Sequence, residues 1–133
     1  MATKSMEYQY GLIAAGMIDG TINIWDPAKL VAEDPEPLLS SVERHAGSVG
    51  GLQFNPHPES SHLLASGGSD GDIYITALDN PDQSNVFIPA PGGARHTAEI
   101  TQVAWNSQVV HILASSAQNG HCIIWDLRAK KAW

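Results

Sequence analysis

The chain repeats one pattern three times along its 133 residues. The copies begin at Gly11, His62 and His111, and their turn glycines (Gly20, Gly71 and Gly120) are separated by 51 and 49 residues. A repeat of this length predicts stacked supersecondary units, because no single copy can bury its apolar face alone. The repeat therefore constrains the fold before any single residue does, and it directs the search for function towards surfaces.

Each copy has the pattern of a β-hairpin. A first apolar strand is predicted at residues 12–15, 63–66 and 112–115, and a second strand with alternating apolar residues follows each of them. The connecting pairs are Asp-Gly or Asn-Gly, which favour a two-residue turn with positive φ at both positions. The sequence therefore predicts two-residue turns at the three connections, Asp19-Gly20, Asp70-Gly71 and Asn119-Gly120.

Two further strands complete the predicted unit. A second repeat begins at His45 and recurs at His96, and it predicts a strand before each hairpin. Weaker strands are predicted after the hairpins, at residues 37–42 and 85–88, where proline and polar residues suit an outer edge. One helical turn could form at residues 27–32. The fold class predicted is all-β, with about two and a half four-stranded antiparallel units.

The unit boundaries follow from the same alignment. Residues 1–10 are expected to be a leader or an artificial start, and residues 11–133 to be consecutive units. Within them we expect a partial unit at 11–43, a unit at 44–88, and a unit lacking a complete last strand at 95–133.

Composition excludes several classes of partner. The formal net charge is −7 with only seven Lys and Arg, so the basic footprint that nucleic-acid binding needs is missing. A single cysteine cannot form an internal disulfide and fits a reducing compartment. No apolar run approaches the roughly 18 residues of a membrane span, so no insertion into a membrane is expected.

The repeats resemble the WD-repeat β-propeller family, in which the third strand of each four-stranded blade ends in Trp-Asp. The pair occurs as Trp25-Asp26 and Trp125-Asp126 and is degenerate at Thr76-Ala77, while Arg44-His45 and Arg95-His96 replace the family's Gly-His opening. The resemblance implies a partial WD-repeat β-propeller in which each blade has a buried group of His, Ser or Thr, Asp and Trp. By position the candidates are His45, Ser66 and Asp70 in the second unit, His96, Ser115, Asn119 and Trp125 in the third, and Asp19 and Trp25 in the first. Thr76 stands at the Trp position of the second unit, and Ala15 at the Ser position of the first.

A closer resemblance is to the N-terminal propellers of the large outer-cage subunits of the coat protein complex II (COPII) vesicle coat. It rests on the strings GLIAAGMIDG, IWDPAKLVAED, ASGGSDGDIYI and ITQVAWNSQVVHILASS, of which AWNSQVVHILAS is the most specific. The resemblance implies a non-enzymatic scaffold for cage assembly in endoplasmic reticulum to Golgi transport, cytoplasmic and peripheral on exit-site membranes and COPII vesicles.

The coat resemblance also implies partners. These are the smaller propeller subunit of the same cage, other copies of the large subunit at cage vertices, and the inner coat indirectly. Candidate partner-contact residues lie in two loops: Asp26, Pro27, Lys29, Asp79 and Asp82.

Two other interpretations remain open at this point. One is a generic WD-repeat adaptor that presents peptides or substrates in a larger complex. The other is an enzyme, because His45, Ser66 and Asp70 include the residue types of a nucleophilic triad. The same positions recur in a second unit, which favours a structural role, since a catalytic site is normally single. No catalytic, cofactor or metal site is therefore predicted.

Overall fold

A computed structural model describes residues 2–4, 10–78, 95–128 and 131–132. Strands dominate this part of the chain, with one short α-helix and one 3-10 helix. The elements are β1 (Ala2–Lys4), β2 (Leu12–Gly16), β3 (Thr21–Trp25), α1 (Pro27–Val31), β4 (Leu38–Glu43), β5 (Val49–Phe54), a 3-10 turn (Pro58–Ser60), β6 (Leu63–Gly68), β7 (Ile73–Ala77), β8 (Ile100–Trp105), β9 (Ile112–Ala117), β10 (Cys122–Asp126) and β11 (Lys131–Ala132).

The strands form three antiparallel sheets. Their orders are β1-β2-β3-β4 in sheet 1, β5-β6-β7 in sheet 2 and β11-β10-β9-β8 in sheet 3. The all-β class and the consecutive blade-like units predicted from the repeat are confirmed. The predicted strand at residues 85–88 lies outside the described residues, so sheet 2 is described with three strands.

The start of the chain differs from the expectation of a leader. Ala2–Lys4 pairs antiparallel with β2, and Thr3 lies opposite Ile13. Sheet 1 therefore has four strands and is not the partial unit predicted for residues 11–43. The first strand was missed because three residues between polar neighbours carry too little periodicity to be recognised, and only pairing to β2 defines them.

The hairpin turns also differ from the prediction. Gly20, Gly71 and Gly120 have positive φ, but Asp19, Asp70 and Asn119 do not. In the first hairpin Gly20 N–H donates to Met17 O, and Met17 N–H donates to Thr21 O. This is a type I turn followed by a left-handed glycine, a three-residue loop that tolerates an ordinary φ at the preceding Asp or Asn.

The side chain before each turn glycine explains why Asp or Asn stands there. Asp19, Asp70 and Asn119 each accept a hydrogen bond through Oδ1 from the backbone N–H two residues later, at 3.0, 3.0 and 3.2 Å. The three copies therefore share one local turn chemistry, although the turn differs from the one predicted.

Two hydrophobic cores hold the sheets together, one on either side of sheet 2. The first lies between sheets 1 and 2 and contains Leu12, Ala14, Ile22, Ile24, Phe54 and Leu64. The second lies between sheets 2 and 3 and contains Ala65, Ile73, Ile100, Val103, Trp105, Leu113 and Trp125. Successive residues of β6 thus enter different cores, as expected of a strand buried on both faces.

Polar contacts fix sheet 3 against sheet 2. The Gln53 side-chain oxygen accepts the backbone N–H of Trp105 at 2.7 Å, and the Gln53 carbonyl accepts the indole N–H of Trp105 at 3.0 Å. Gly51 allows this approach, because a Cβ there would lie 2.7 Å from Val103 N. The buried Asn55 adds a bond from its amide nitrogen to Val110 O at 3.0 Å. These contacts join two repeats and hold their inner strands in register.

Helix α1 is a single capped turn beside β3. Asp26 caps it by accepting the N–H of Ala28 at 3.0 Å, and Pro27 occupies the first helical position. At the other end Asp34 N–H donates to Lys29 O and Glu33 N–H to Leu30 O, which is a Schellman ending. The helical turn predicted at residues 27–32 is therefore present, and it directs the chain into β4.

Glu33 occupies the left-handed position of this ending with φ 56°, where glycine is usually found. We expect Glu33→Gly to raise the free energy of unfolding by about 0.5–1 kcal/mol, because glycine has no Cβ to strain this conformation. Urea unfolding of the chain would measure the gain. Glu33→Ala removes the same charge and keeps the Cβ, so an equal gain in both variants would contradict the backbone explanation.

Candidate functional site

The second repeat contains a buried polar network centred on His45. His45 Nδ1 lies 3.1 Å from Asp70 Oδ1, and His45 Nε2 lies 3.0 Å from Ser66 Oγ. Asp70 also accepts the backbone N–H of Ala46 at 3.0 Å. Because the carboxylate can only accept, Nδ1 carries the proton, and the Ser66 hydroxyl donates to Nε2. Three of the predicted residues are therefore in contact, from the loop before β5, from β6 and from the β6–β7 turn.

Burial sets the ionisation of this network. Burial lowers the pKa of His45, and the neighbouring Asp70 carboxylate only partly offsets that effect. Burial alone would raise the pKa of Asp70, but the backbone N–H groups of Ala46 and Asp72 and the His45 ring lower it below its usual value. The pair therefore consists of a neutral imidazole and an ionised carboxylate near neutral pH.

The third repeat has a related but different network. His96 Nε2 lies 2.6 Å from Ser115 Oγ, and the Trp125 indole N–H donates to the same oxygen at 2.8 Å. Ser115 Oγ accepts from Trp125 and is also hydrogen-bonded to His96 Nε2, so it bridges the two rings. The structure thus brings His96, Ser115 and Trp125 together.

Asn119 does not join the His96 network. Its amide nitrogen donates to Thr97 Oγ1 at 3.3 Å, and its oxygen accepts the N–H of His121. His96 Nδ1 is buried and has no hydrogen-bond partner among the described residues. The turn that supplies a carboxylate to His45 in the second repeat therefore supplies only an amide in the third, and His96 Nδ1 is left without a partner among the described residues.

The first repeat has no comparable network within the described residues. Asp19 serves its own turn by accepting the N–H of Thr21 at 3.0 Å. Trp25 is half-buried and lines an open apolar groove with Ile13, Ala15 and Leu30 on the face of sheet 1 that points away from sheet 2. Ala15 stands where Ser66 and Ser115 stand in the other repeats, so no hydroxyl is available at that position for the Trp25 indole.

Two side chains missed by the sequence analysis occupy the place of the absent tryptophan in the second repeat. The Arg44 guanidinium Nε donates to Thr76 Oγ1 at 3.3 Å. Tyr74 packs edge-to-face on the His45 ring, with ring centroids 4.7 Å apart. The only sequence signal was that Thr76 does not match the Trp-Asp pattern. That mismatch shows that the tryptophan is missing, but it does not show that Arg44 and Tyr74 pack there.

The predicted partner-contact residues are placed only in part. Asp26 is buried and used as the helix cap, whereas Pro27 and Lys29 are half-exposed on α1. Asp79 and Asp82 lie outside the described residues. As a contact surface, α1 and the acidic residues after it are therefore more accessible to a partner than the buried Asp26 side chain.

The buried networks are unsuited to catalysis. Ser66 is fully buried and His45 is 5% exposed, so a substrate carbonyl could not reach the hydroxyl without opening the hydrophobic core. Buried polar groups with paired atoms instead fix the geometry of the strands that carry them. Among the described residues no three His, Cys, Asp or Glu side chains are arranged to hold a metal ion.

The buried histidines make stability depend on pH. Burial lowers the pKa of His45 and, with a smaller contribution from His121, that of His96. Protonation of either ring therefore favours the unfolded chain, and we expect the free energy of unfolding to be constant above about pH 7 and to fall as the pH drops below about 6.5. Urea unfolding at a series of pH values would measure the slope. His45→Gln should reduce this slope, and an equal slope in the parent chain and in this variant would contradict the assignment.

Comparisons with known proteins agree with this geometry. The sequence model described as "WD domain, G-beta repeat" matches residues 36–76 and 94–126. These ranges include the His45 and His96 networks, and together they cover more than half of the chain. One solved chain, in a crystal structure of the mitotic checkpoint complex, superposes with a TM-score of 0.68 over 91% of this chain and 33% of its own length. At 19% identity, that likeness supports the fold alone.

Curated relatives extend the match along almost the whole chain. A protein transport protein SEC31 of Dictyostelium discoideum is 40% identical over 136 residues, which cover 96% of this chain and 10% of that protein. Protein transport protein Sec31A of Danio rerio is 41% identical over 89% of this chain and 9% of its own length, and Sec31B of Mus musculus is 37% identical over 89% and 10%. The chain thus spans about a tenth of the length of these relatives. From the repeated strands, the His–Ser networks and the matched ranges, the chain belongs to the WD domain, G-beta repeat family.

Proposed function

We propose that this chain is a non-enzymatic scaffold segment of a COPII outer-coat subunit, acting in cage assembly during endoplasmic reticulum to Golgi transport. The observation that carries the proposal is the identity of 35–41% with protein transport proteins named SEC31 over about nine-tenths or more of the chain. The solved chain of the mitotic checkpoint complex is only 19% identical, so the likeness to SEC31 goes well beyond the common fold.

The distribution of polar groups supports a scaffold. The His–Ser groups are enclosed between sheets, where they fix the strands and are not presented to a ligand. A rigid set of sheets that presents loops is suited to repeated weak contacts, which become strong when a lattice closes around them.

The apolar groove of sheet 1 supports membership in a larger propeller. Ile13, Ala15, Trp25 and Leu30 line it, and the corresponding face of sheet 2 is covered by sheet 1. We propose that a further blade covers this groove in the same way, since the chain corresponds to only a small part of its relatives.

The proposed partners are the smaller propeller subunit of the same cage and other copies of the large subunit at cage vertices, with the inner coat as an indirect partner. The proposed location is cytoplasmic, peripheral on endoplasmic reticulum exit-site membranes and COPII vesicles. No described helix has the length and apolar character needed to cross a membrane. Pro27 and Lys29, with the acidic residues that follow α1, are the proposed contact region among the described loops.

Co-purification of the full-length protein with the smaller propeller subunit tests the proposal. The expected result is a stable complex that also assembles into cages with the inner coat. The alternative is a generic WD-repeat adaptor, which would instead retain an unrelated set of peptides or ligase components and fail to assemble cages. That second outcome would overturn the coat assignment while leaving the family assignment intact.

A further inference from the structure

Strand β4 has a free outer edge. It is the last strand of sheet 1, and among the described residues it pairs only with β3. Thr21 O accepts from Met17 on the β2 side, whereas Gly20 O accepts from Arg44 on the β4 side. Because antiparallel pairs alternate in this way, the backbone groups of Ser40 and Val42 point towards β3, and those of Ser41 and Glu43 point outwards. Among the described residues, the outer edge thus presents unpaired donors and acceptors at Ser41 and Glu43.

Strand β4 itself is only lightly protected against strand addition. Residues 38–43 contain no lysine and no proline, while Pro37 precedes the strand and the register shift opposite Ile24 and Trp25 lies at the Leu38 end, away from Ser41 and Glu43. Apolar side chains are also exposed beside it: half of the large apolar side chains exposed among the described residues belong to residues 30–39, namely Leu30, Val31, Leu38 and Leu39. An extended segment laid along β4 could therefore bury apolar surface as well as pair its backbone.

The charge of the residues around β4 determines which kind of segment could bind along its outer edge. Residues 30–43, which we name the acidic edge, contain Glu33, Asp34, Glu36 and Glu43 and no lysine or arginine. All four acids are exposed. A second copy of β4 would bring like charges together, which opposes pairing between two copies of this edge. A strand with apolar residues at its centre and basic residues near its ends would instead pair with opposite charges.

We propose that the acidic edge is a docking site for an extended, basic and apolar segment of a protein partner, which adds to sheet 1 as a further strand along β4. Main-chain hydrogen bonds supply affinity in this kind of recognition, and the flanking charges supply selectivity. The site is separate from the polar networks between the sheets. It does not depend on the coat assignment, and cage assembly could succeed or fail independently of it.

The test uses a labelled synthetic peptide of alternating valine and threonine with lysines at both ends, added to the purified chain and followed by fluorescence anisotropy. A control peptide with glutamates in place of the lysines is expected to bind at least about tenfold more weakly. The difference in affinity between the two peptides should shrink as salt is added. A third peptide, N-methylated at alternate backbone nitrogens of the lysine-ended sequence, should also lose about tenfold or more, because it cannot complete the strand pairing.

Protein variants locate the site. Ser41→Pro removes an outward N–H and is expected to weaken lysine-ended peptide binding by about tenfold or more, whereas Ser41→Ala keeps that N–H and should bind like the parent chain. Circular dichroism checks that Ser41→Pro is folded. If that variant is unfolded, the comparison of methylated and unmethylated peptides on the parent chain tests the proposal instead. Equal binding by the methylated and unmethylated peptides would overturn the proposal. So would sedimentation that shows a dimer of the parent chain dissociated by Ser41→Pro, because a second copy would then occupy the edge.

Discussion

Replacing Trp105 with alanine is expected to lower the free energy of unfolding by about 3–5 kcal/mol. The indole is 7% exposed and belongs to the core between sheets 2 and 3. Its ring N–H also donates to the carbonyl of Gln53 in the neighbouring sheet, so the substitution leaves that carbonyl without its partner as well as creating a cavity. Urea unfolding of the chain, followed by circular dichroism, would show the change as a lower midpoint.

Trp25 provides a matched control in the same chain. It has the same side chain, but it is half-buried and lines the open groove on the outer face of sheet 1. We expect Trp25→Ala to cost about 1 kcal/mol or less in this chain, since less surface leaves water when it folds. Similar losses for the two variants would contradict the assignment of Trp105 to the buried core between sheets 2 and 3.

The sequence was sufficient to predict the hairpin strands and the strand before each of the second and third hairpins, because each is defined by a pattern that recurs. The hairpins around Gly20, Gly71 and Gly120 align with one another, so a weak signal in one copy is supported by the other two. The outer strand β4 was predicted at residues 37–42 from its place after the first hairpin and from nearby proline and polar residues, and it forms at Leu38–Glu43. Repetition thus compensates for the low information in any single short strand.

Features that depend on pairing between distant residues were not predictable. Strand β1 is defined only by its partner β2, and the turn type by the carbonyl that each glycine N–H reaches. The replacement of the missing tryptophan in the second repeat depends on where Arg44 and Tyr74 lie in three dimensions. Periodicity predicts which residues face a core, whereas these features depend on which residues of other segments lie opposite them.

The candidate site illustrates the same limit at a single position. Sequence alignment placed Asn119 at the position of Asp70, and the turn geometry is indeed shared. A single atom separates the two side chains, because the amide donates where the carboxylate accepts. Alignment therefore placed the two turn residues at one position, but it could not predict that His96 Nδ1 would lack a partner among the described residues.

Exchanging the two turn residues should move stability in opposite directions. We expect Asp70→Asn to lower the free energy of unfolding by about 1.5–3 kcal/mol, because the ionised carboxylate accepts from both His45 Nδ1 and the N–H of Ala46. The reverse change, Asn119→Asp, places a carboxylate where the buried His96 Nδ1 has no partner, and we expect it to raise the free energy of unfolding by about 1 kcal/mol. Urea unfolding at about pH 7.5, where both rings are neutral, would measure both changes.

Asp19→Asn is the control for the turn itself. Asp19 makes the same contact to the N–H two residues later but has no histidine partner among the described residues, so its replacement should cost only a few tenths of a kcal/mol. NMR titration adds a second measurement, because a new carboxylate beside His96 should raise the pKa of that ring in Asn119→Asp and leave the pKa of His45 unchanged. A destabilising Asn119→Asp with an unchanged pKa of His96 would contradict this prediction. It would mean that the new carboxylate does not reach His96 Nδ1 and that the turn of the third repeat is more stable with asparagine.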